Sequence, residues 1–329
     1  MEALAAAVDT QGADAIYVVG GDGTLRRVVT EILQHRENGV LPIGVFPGDY
    51  DNLSLRRLVP DVFESSRDVR RMCESAMALI QDERRNVNAF GFTVEGANSD
   101  IKPIYSVGDV GAGWFRHIEE KRRKLWYLGP LKRRCAYLWE MVKHSPEDME
   151  AKLQYEEICP GCQTCHPPVL FEPPTWRWWH ILTGSPRYPE DGTKKDYSNI
   201  VNENCGQIHE VDLKDTDLII ENNQQEDTSC LRVRMGGKGA GRYRVIADGW
   251  KRSANRVGAT DNEQFYSTDV LAKAISLTFV RIPEFIHCLY VSSDLVDEKL
   301  DGKKINVKST DRQIEMYLPN SFRVDIDSL

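Results

Sequence analysis

Near the start of the chain, glycines, a carboxylate and a hydroxyl combine in a pattern suited to phosphate chemistry: Gly20, Gly21, Asp22, Gly23 and Thr24. They follow the apolar run AIYVV of residues 15–19, which favours a buried parallel strand, and they precede an amphipathic helix. Glycines let a backbone approach a phosphate without a Cβ clash, and a helix N-terminus favours an anion. We predict that Thr24 caps this helix and that Asp22 holds Mg²⁺ or accepts a proton from an attacking hydroxyl.

A plain strand-to-helix turn is the alternative for these five residues, and the absence of a following Gly-Lys-Ser/Thr excludes a Walker A loop. The surrounding pattern predicts an open α/β layer. Apolar residues recur at helical spacing after the turn, at Leu25, Val28, Val29, Ile32 and Leu33. Residues 40–46 form a second apolar strand. We therefore predict a parallel α/β nucleotide-binding domain over residues 1–98.

From about Arg84 the pattern changes to short strands with turn signals, which predicts a second domain, mostly antiparallel and β-sandwich-like, that we place at residues 99–329. The predicted strands are 87–94, 104–110, 153–158, 208–211, 217–220, 231–235 and 277–280, with a helix at 131–143. Residues 159–206 are rich in Pro, Gly, Asn and charge, which predicts a long irregular insertion.

That insertion contains Cys159, Cys162 and Cys165, followed by His166. Residues 162–166 match the Cys-x-x-Cys-His pattern of haem attachment, but no helical pocket pattern surrounds them. A zinc site needs two separated ligand pairs, and the adjacent Cys165 and His166 rarely share one ion. A structural zinc ion, a disulfide in an oxidising compartment and plain loop thiols all stay open as interpretations.

The formal net charge of −8 argues against nucleic-acid binding by a basic surface. No run of about 18 uncharged apolar residues predicts a membrane-spanning helix. Basic residues do flank aromatic ones, because KRRK at 121–124 precedes Trp126 and Tyr127, and KRR at 132–134 follows them. This arrangement suits peripheral docking on anionic lipid, at about 1 kcal/mol per basic side chain. The alternative is a solvated helix face with buried rings.

A second glycine run, GGKGAG at 236–241, lacks a following apolar helical pattern. We predict a hairpin or loop there and not a phosphate site.

The sequence GGDGT after a hydrophobic strand resembles the signature of the diacylglycerol kinase catalytic-domain family, which is shared with sphingosine kinases and NAD kinases. FPGDYDNLS at 46–54 occupies the place of that family's second nucleotide loop and is one residue shorter than the usual Pro-x-Gly-Thr-x-Asn-Asp. WYLGPLK at 126–132 is similar to the acylglycerol kinase branch. LP at 318–319 and FRVDIDS at 322–328 resemble that branch's last strand. The resemblance spans nearly the whole chain and is weakest over 159–206.

The resemblance implies a nucleotide domain and a β-rich domain with the site in the cleft between them. It implies ATP and Mg²⁺, with mono- or diacylglycerol as acceptor, giving lysophosphatidic or phosphatidic acid, and ceramide or sphingosine as weaker acceptors. Asp22 is then the catalytic and metal-binding residue. The cofactor-binding residues are then Gly20, Gly21, Asp22, Gly23, Thr24, Pro47, Gly48, Asp49 and Asn52.

The same resemblance implies peripheral attachment at the mitochondrial inner membrane, facing the intermembrane space. An alternative function from another class stays open, in which the chain is a non-catalytic subunit of the mitochondrial carrier translocase. Arg27 stands where the family usually has Glu, three residues after the Thr of GGDGT. We interpret Arg27 either as tolerated surface drift or as a sign of impaired handling of nucleotide or acceptor.

We also expect the chain to be truncated at both ends. Only the tail of a helix precedes the strand at 15–19, and the alternating strand at 322–326 stops at Leu329. The chain alone is therefore predicted to be a poor kinase. In the full-length protein, Asp22→Asn is predicted to abolish kinase activity with the fold intact. The double change Cys162→Ala and Cys165→Ala is predicted to leave activity nearly unchanged.

Overall fold

The protein is described from a computed structural model covering residues 12–35, 41–48, 52–63, 68–95, 102–159, 161–165, 199–225, 228–254, 266–283, 289–292, 294–296 and 303–320. Within these ranges no helix combines the length and apolarity that crossing a bilayer requires.

The first strand, β1 (Ile16–Gly20), leads through a single residue into helix α1 (Asp22–His35). Strand β2 (Ile43–Pro47) pairs with β1 in parallel, from Ile16 opposite Ile43 to Gly20 opposite Pro47. The apolar face predicted for the helix is buried in full, from Leu25 to Leu33. The α/β layer predicted from sequence is therefore confirmed. Thr24 does not cap the helix as predicted, because the helix already begins at Asp22.

Three helices and three strands follow between residues 53 and 113: α2 (Leu53–Leu58), α3 (Pro60–Phe63), α4 (Asp68–Ile80), β3 (Arg84–Val94), β4 (Ile104–Ser106) and β5 (Asp109–Gly113). A mostly helical stretch comes next: α5 (Trp114–Lys124), a 3₁₀ helix (Trp126–Leu131) and α6 (Lys132–Lys143). The remaining elements are β6 (Met149–Glu157), β7 (Ile208–Asp215), β8 (Asp217–Gln225), β9 (Thr228–Gly236), α7 (Arg242–Ala254), β10 (Tyr266–Arg281), β11 (Leu289–Val291), β12 (Asp294–Val296) and β13 (Lys304–Tyr317).

All thirteen described strands belong to one sheet, with the main order β1-β2-β13-β10-β9-β8-β5-β11-β12. Strands β3 and β4 branch from β13, and β6 and β7 branch from β10. Among the described pairs, β1–β2 and β13–β2 are parallel and the others antiparallel. A parallel α/β layer followed by a mostly antiparallel region is the predicted fold class, and it is confirmed.

The last described strand connects the two parts of the molecule. Its final residues, Met316 and Tyr317, pair with Ile43 and Gly44 of β2, while its first residues pair with β10 and β3. The side chains of Ile314 and Met316 are buried in the same core as α1. Residues from the C-terminal part of the chain thus complete the α/β layer, and a domain boundary at residue 98 stays a prediction.

Two details of the second part differ from the prediction. The single strand predicted at 104–110 is two strands, β4 and β5, separated by Val107 and Gly108. Residues 237–241 form a loop, one of the two predicted alternatives, but a helix, α7, follows them, so they lead from a strand into a helix. The helical pattern was missed because the face of α7 includes charged residues and a glycine. The strand predicted at 322–326 lies outside the described residues.

Candidate nucleotide site

The glycine turn between β1 and α1 is compact because its side-chain positions are already filled. A Cβ on Gly20 would lie 2.7 Å from Oγ1 of Thr24. A Cβ on Gly23 would overlap the carboxylate of Asp294, which comes from β12. Glycine is therefore required at Gly23 as long as Asp294 occupies this position.

Asp22 lies in this turn, and its side chain binds the segment that follows β2. The two carboxylate oxygens accept backbone N–H bonds from Leu53 at 2.7 Å and Ser54 at 3.1 Å. These residues open α2, whose own N-cap residue, Asn52, makes no side-chain cap bond. Asp22 therefore caps a helix 31 residues later in the chain and fixes the second loop against the first.

Burial sets the protonation of this carboxylate. Asp22 is 6% exposed, and this burial raises its pKa above the ordinary aspartate range. The hydrogen bonds from Ser54 and Leu53 and the charge of Arg57 oppose the rise without cancelling it. A carboxylate with a raised pKa is a stronger base than one with an ordinary pKa, which suits accepting a proton.

The second loop lies directly against the glycine turn. The backbone N–H of Gly48 donates to the carbonyl of Gly20 at 3.1 Å, and a Cβ on Gly48 would lie 3.4 Å from Cα of Gly20. The structure thus brings Gly20, Gly21, Asp22, Gly23 and Thr24 together with Pro47, Gly48 and Asn52. Asp49 lies outside the described residues.

A charged network joins this site to the β-rich part. Arg57 on α2 contacts the carboxylates of Asp109 on β5 at 3.2 Å and Glu221 on β8 at 2.7 Å. Arg116 also pairs with Asp109, and Arg234 with Glu221. Burial raises the pKa of Glu221, but Arg57 and Arg234 outweigh it, so the net pKa is lowered and the carboxylate is charged.

Asp294 is a second carboxylate at the beginning of α1. Its Oδ2 lies 2.8 Å from Nη2 of Arg26 and 3.3 Å from Nε of Arg27. Arg27, which departs from the family pattern, therefore has a defined ion-pair partner. Sequence patterns missed Asp294, Arg57, Asp109 and Glu221 because they come from four separate segments and no local motif contains them.

The backbone N–H donors of the turn are suited to binding a phosphate group. The first N–H groups of a helix have no partner within the helix, and α1 presents them beside flexible glycines and two arginines. The fit to Mg²⁺ is weaker. Among the described residues, the group of three or more potential ligands close enough to share an ion consists of cysteines elsewhere in the chain. Asp22 and Asp294 do not belong to such a group, so Mg²⁺ stays a prediction and no step is derived through it.

Comparison with known proteins gives a family for this arrangement. The profile of the diacylglycerol kinase catalytic domain matches residues 1–87. The uncharacterized protein F52C9.3 of Caenorhabditis elegans is 49% identical over 329 residues, covering 99% of this chain and 74% of that protein. The mitochondrial acylglycerol kinases of Homo sapiens and Xenopus laevis are each 30% identical, over 149 and 145 residues.

The match to the human protein covers 44% of this chain and 33% of that protein, so the aligned part spans about a third of the acylglycerol kinase. A solved diacylglycerol kinase of Bacillus anthracis is 13% identical with a TM-score of 0.49, covering 94% of this chain and 79% of that one. The family profile over residues 1–87 and the sequence relatives together support the diacylglycerol and acylglycerol kinase catalytic-domain family for this chain.

Proposed function

We propose that the protein transfers the γ-phosphate of ATP to the free hydroxyl of a mono- or diacylglycerol. The observation that supports this most is the position of the Asp22 carboxylate. It lies in the glycine turn, is buried, and bonds Leu53 and Ser54 at the head of α2, so both nucleotide loops are held by one acidic group. The products are lysophosphatidic and phosphatidic acid.

In this proposal the turn from Gly20 to Thr24 and the N–H groups opening α1 bind the phosphates. The Asp22 carboxylate accepts the proton of the attacking hydroxyl, aided by the raised pKa that burial gives it. Mg²⁺, when bound with the nucleotide, supplies charge neutralisation at the transferred phosphate. Arg57 is a positioning residue, because it connects α2 to Asp109 and Glu221 and does not lie in the turn.

The acceptor is tested by incubating the full-length protein with γ-labelled ATP and a panel of lipids in mixed micelles. Monoacylglycerol, diacylglycerol, ceramide and sphingosine form the panel. We expect label in lysophosphatidic or phosphatidic acid, with weaker labelling of ceramide or sphingosine. Labelling of sphingosine alone, or of no lipid while ATP still binds, would contradict the proposed acceptor.

We further propose that the segment from α5 to α6 docks on a membrane. Its apolar side chains are exposed: Trp126 (78%), Tyr127, Leu131, Leu138, Trp139 (58%) and Val142. Exposed basic residues alternate with them at Arg123, Lys124, Arg134 and Lys143, and the ammonium of Lys143 lies 5.0 Å from the centre of the Trp139 ring. Exposed aromatic rings beside basic side chains suit the interface of an anionic bilayer.

Co-sedimentation with phosphatidylcholine vesicles, with and without cardiolipin, tests this docking. Wild-type protein should bind the anionic vesicles better than the neutral ones. The variant Trp126→Ala with Trp139→Ala should bind both poorly, while Ile80→Ala, which truncates an exposed apolar residue on α4, should bind as wild type does. Equal binding by all three would contradict the assignment of this segment.

Mitochondrial localisation, at the inner membrane facing the intermembrane space, is proposed because the matching acylglycerol kinases are named mitochondrial. Membership of the carrier translocase stays an alternative. Co-purification with translocase components by a full-length protein that phosphorylates no lipid would favour that alternative.

A further inference from the structure

Four cysteine thiols converge at the end of the β6–β7 hairpin where the connecting segment leaves β6 and enters β7. The Sγ atoms of Cys159, Cys162, Cys165 and Cys205 all lie within 4.8 Å of one another, and those of Cys162 and Cys165 are 3.6 Å apart. Around one zinc ion, Zn–S bonds of about 2.3 Å in a tetrahedron place the sulfurs about 3.8 Å apart. The thiols are therefore already gathered at close to the spacing that a single ion requires.

From sequence, a zinc site lacked a ligand from a separate segment of the chain, and Cys205 supplies that ligand. Cys159, Cys162 and Cys165 come from one short segment, and Cys205 joins them from 40 residues beyond Cys165. Cys159 lies two residues after the end of β6, and Cys205 lies three residues before the start of β7. The antiparallel pairing that places Glu156 opposite Ile208 brings these two segments to the same end of the hairpin.

The backbone conformation and the hydrogen bonds around the thiols fix the positions of the sulfur atoms. Gly161 has φ 127°, a conformation that favours glycine, and it precedes the buried Cys162. The N–H of Cys162 donates to Sγ of Cys165 at 3.3 Å, and the side-chain amide of Asn202 donates to Sγ of Cys159 at 3.3 Å. Donors aimed at sulfur stabilise thiolates and orient metal ligands.

The two cysteine segments are also hydrogen-bonded to each other and within themselves. The N–H of Gln163 donates to the carbonyl of Ile200 at 2.9 Å, and the N–H of Cys205 donates to the carbonyl of Asn202 at 3.2 Å. These backbone hydrogen bonds hold the two cysteine-bearing segments, which flank residues 166–198, against each other.

We infer that Cys159, Cys162, Cys165 and Cys205 bind one zinc ion as a closed tetrahedral site at the base of the long connection between β6 and β7. Four protein ligands leave no position for substrate, so the role is structural. A haem group needs only the two thiols of Cys-x-x-Cys-His, which leaves the convergence of Cys159 and Cys205 unexplained. Disulfides join thiols in separate pairs, whereas here all four lie within contact of one another. An iron–sulfur cluster holds its cysteines farther apart than one ion does.

The test uses the full-length protein purified without chelator and analysed by inductively coupled plasma mass spectrometry. We expect one zinc per chain in wild type and in the control Cys73→Ser, which removes a partly buried thiol on α4. We expect less than a tenth of that in Cys205→Ser and in Cys159→Ser. Replacement of zinc by Co²⁺ should give the visible absorption of a tetrahedral thiolate site, and adding zinc back should abolish that absorption.

A second measurement on the wild type alone guards against misfolding of the variants. Removing zinc with a chelator should lower the melting temperature and speed proteolysis between residues 166 and 198, and adding zinc should reverse both changes. Wild-type protein with no bound metal and four alkylatable thiols would overturn the inference. So would a Cys162–Cys165 disulfide found by peptide mapping, or iron in place of zinc.

Discussion

Two of the described glycine-rich turns, the one before α1 and the one before α7, lead from a strand into a helix, and their surroundings differ. In the turn between β1 and α1, the Asp22 carboxylate reaches across to cap α2, and the turn is flanked by the second loop and two arginines. In the turn between β9 and α7, the N–H of Gly239 is already bonded to both oxygens of Asp148, at 3.0 and 3.2 Å. Gly237 and Gly239 there adopt φ of 80° and 62°.

The difference shows that glycines between a strand and a helix are not sufficient for a phosphate site. The first turn directs its carboxylate to a second loop, and the beginning of its helix carries two arginines that are paired with Asp294. The second turn satisfies its own backbone with a carboxylate from the segment before β6, so its donors are engaged within the fold. Changes in the first turn should alter catalysis, and changes in the second should alter stability alone.

The largest effect is expected for Asp22→Asn. Loss of a proton acceptor should lower kcat by about 10²- to 10⁴-fold. An amide also offers one acceptor where Leu53 and Ser54 present two donors, which should cost about 1–3 kcal/mol of unfolding free energy. We therefore expect this variant to be less stable than the wild type, whereas the sequence alone predicts that the fold stays intact. Steady-state lipid phosphorylation and urea unfolding of the same preparation check both values, and wild-type turnover would contradict the role of Asp22.

Arg57→Gln tests whether the β-rich part is coupled to the first turn. Asp109 and Glu221 would each lose one arginine while keeping Arg116 and Arg234, so we expect a loss of about 2–3 kcal/mol in unfolding free energy. Loss of the Arg57 contacts should also let α2 move relative to Asp22 in the first turn, so the KM for ATP should rise. Arg57→Lys retains the charge without the two-sided contact and should restore stability in part. An unchanged KM with reduced stability would show that the network is structural alone.

Asp294→Asn should have a smaller effect in the opposite direction. The Asp294 carboxylate lies at the positive end of α1 and neutralises Arg26 and Arg27, so it competes with a phosphate for the same charges. Removing it should strengthen ATP binding by about two- to fivefold, corresponding to about 0.3–1 kcal/mol. The gain should shrink at high salt. Weaker ATP binding by this variant would instead make Asp294 a positive contributor to the site.

The smallest effect on activity is expected for Asp148→Asn in the second turn. This change keeps one acceptor for the N–H of Gly239 and should lower unfolding free energy by no more than about 1 kcal/mol. Activity and ATP affinity should match those of the wild type. A loss of activity comparable to that of Asp22→Asn would remove the distinction between the two turns.

Elements whose structure depends on residues close in sequence were predicted well, because the spacing of their apolar residues is visible in the sequence. The burial of Leu25 to Leu33 follows from helical spacing, and the parallel pairing of β1 with β2 follows from two apolar runs around one helix. The contacts that shape the site are not local. Arg57 meets Asp109 and Glu221, and Asp294 meets Gly23, only after the sheet is assembled. Cys205 likewise joins the other cysteines through strand pairing, which spacing along the chain does not reveal.

We propose that the first turn, together with the second loop, binds the nucleotide phosphates. Hydrogen exchange of the full-length protein with and without ATP tests it directly, because the two turns are read in one experiment. We expect slower exchange on ATP addition at residues 20–25 and 46–55, and unchanged exchange at 236–242. Slower exchange at 236–242 with no change at 20–25 would contradict the proposal.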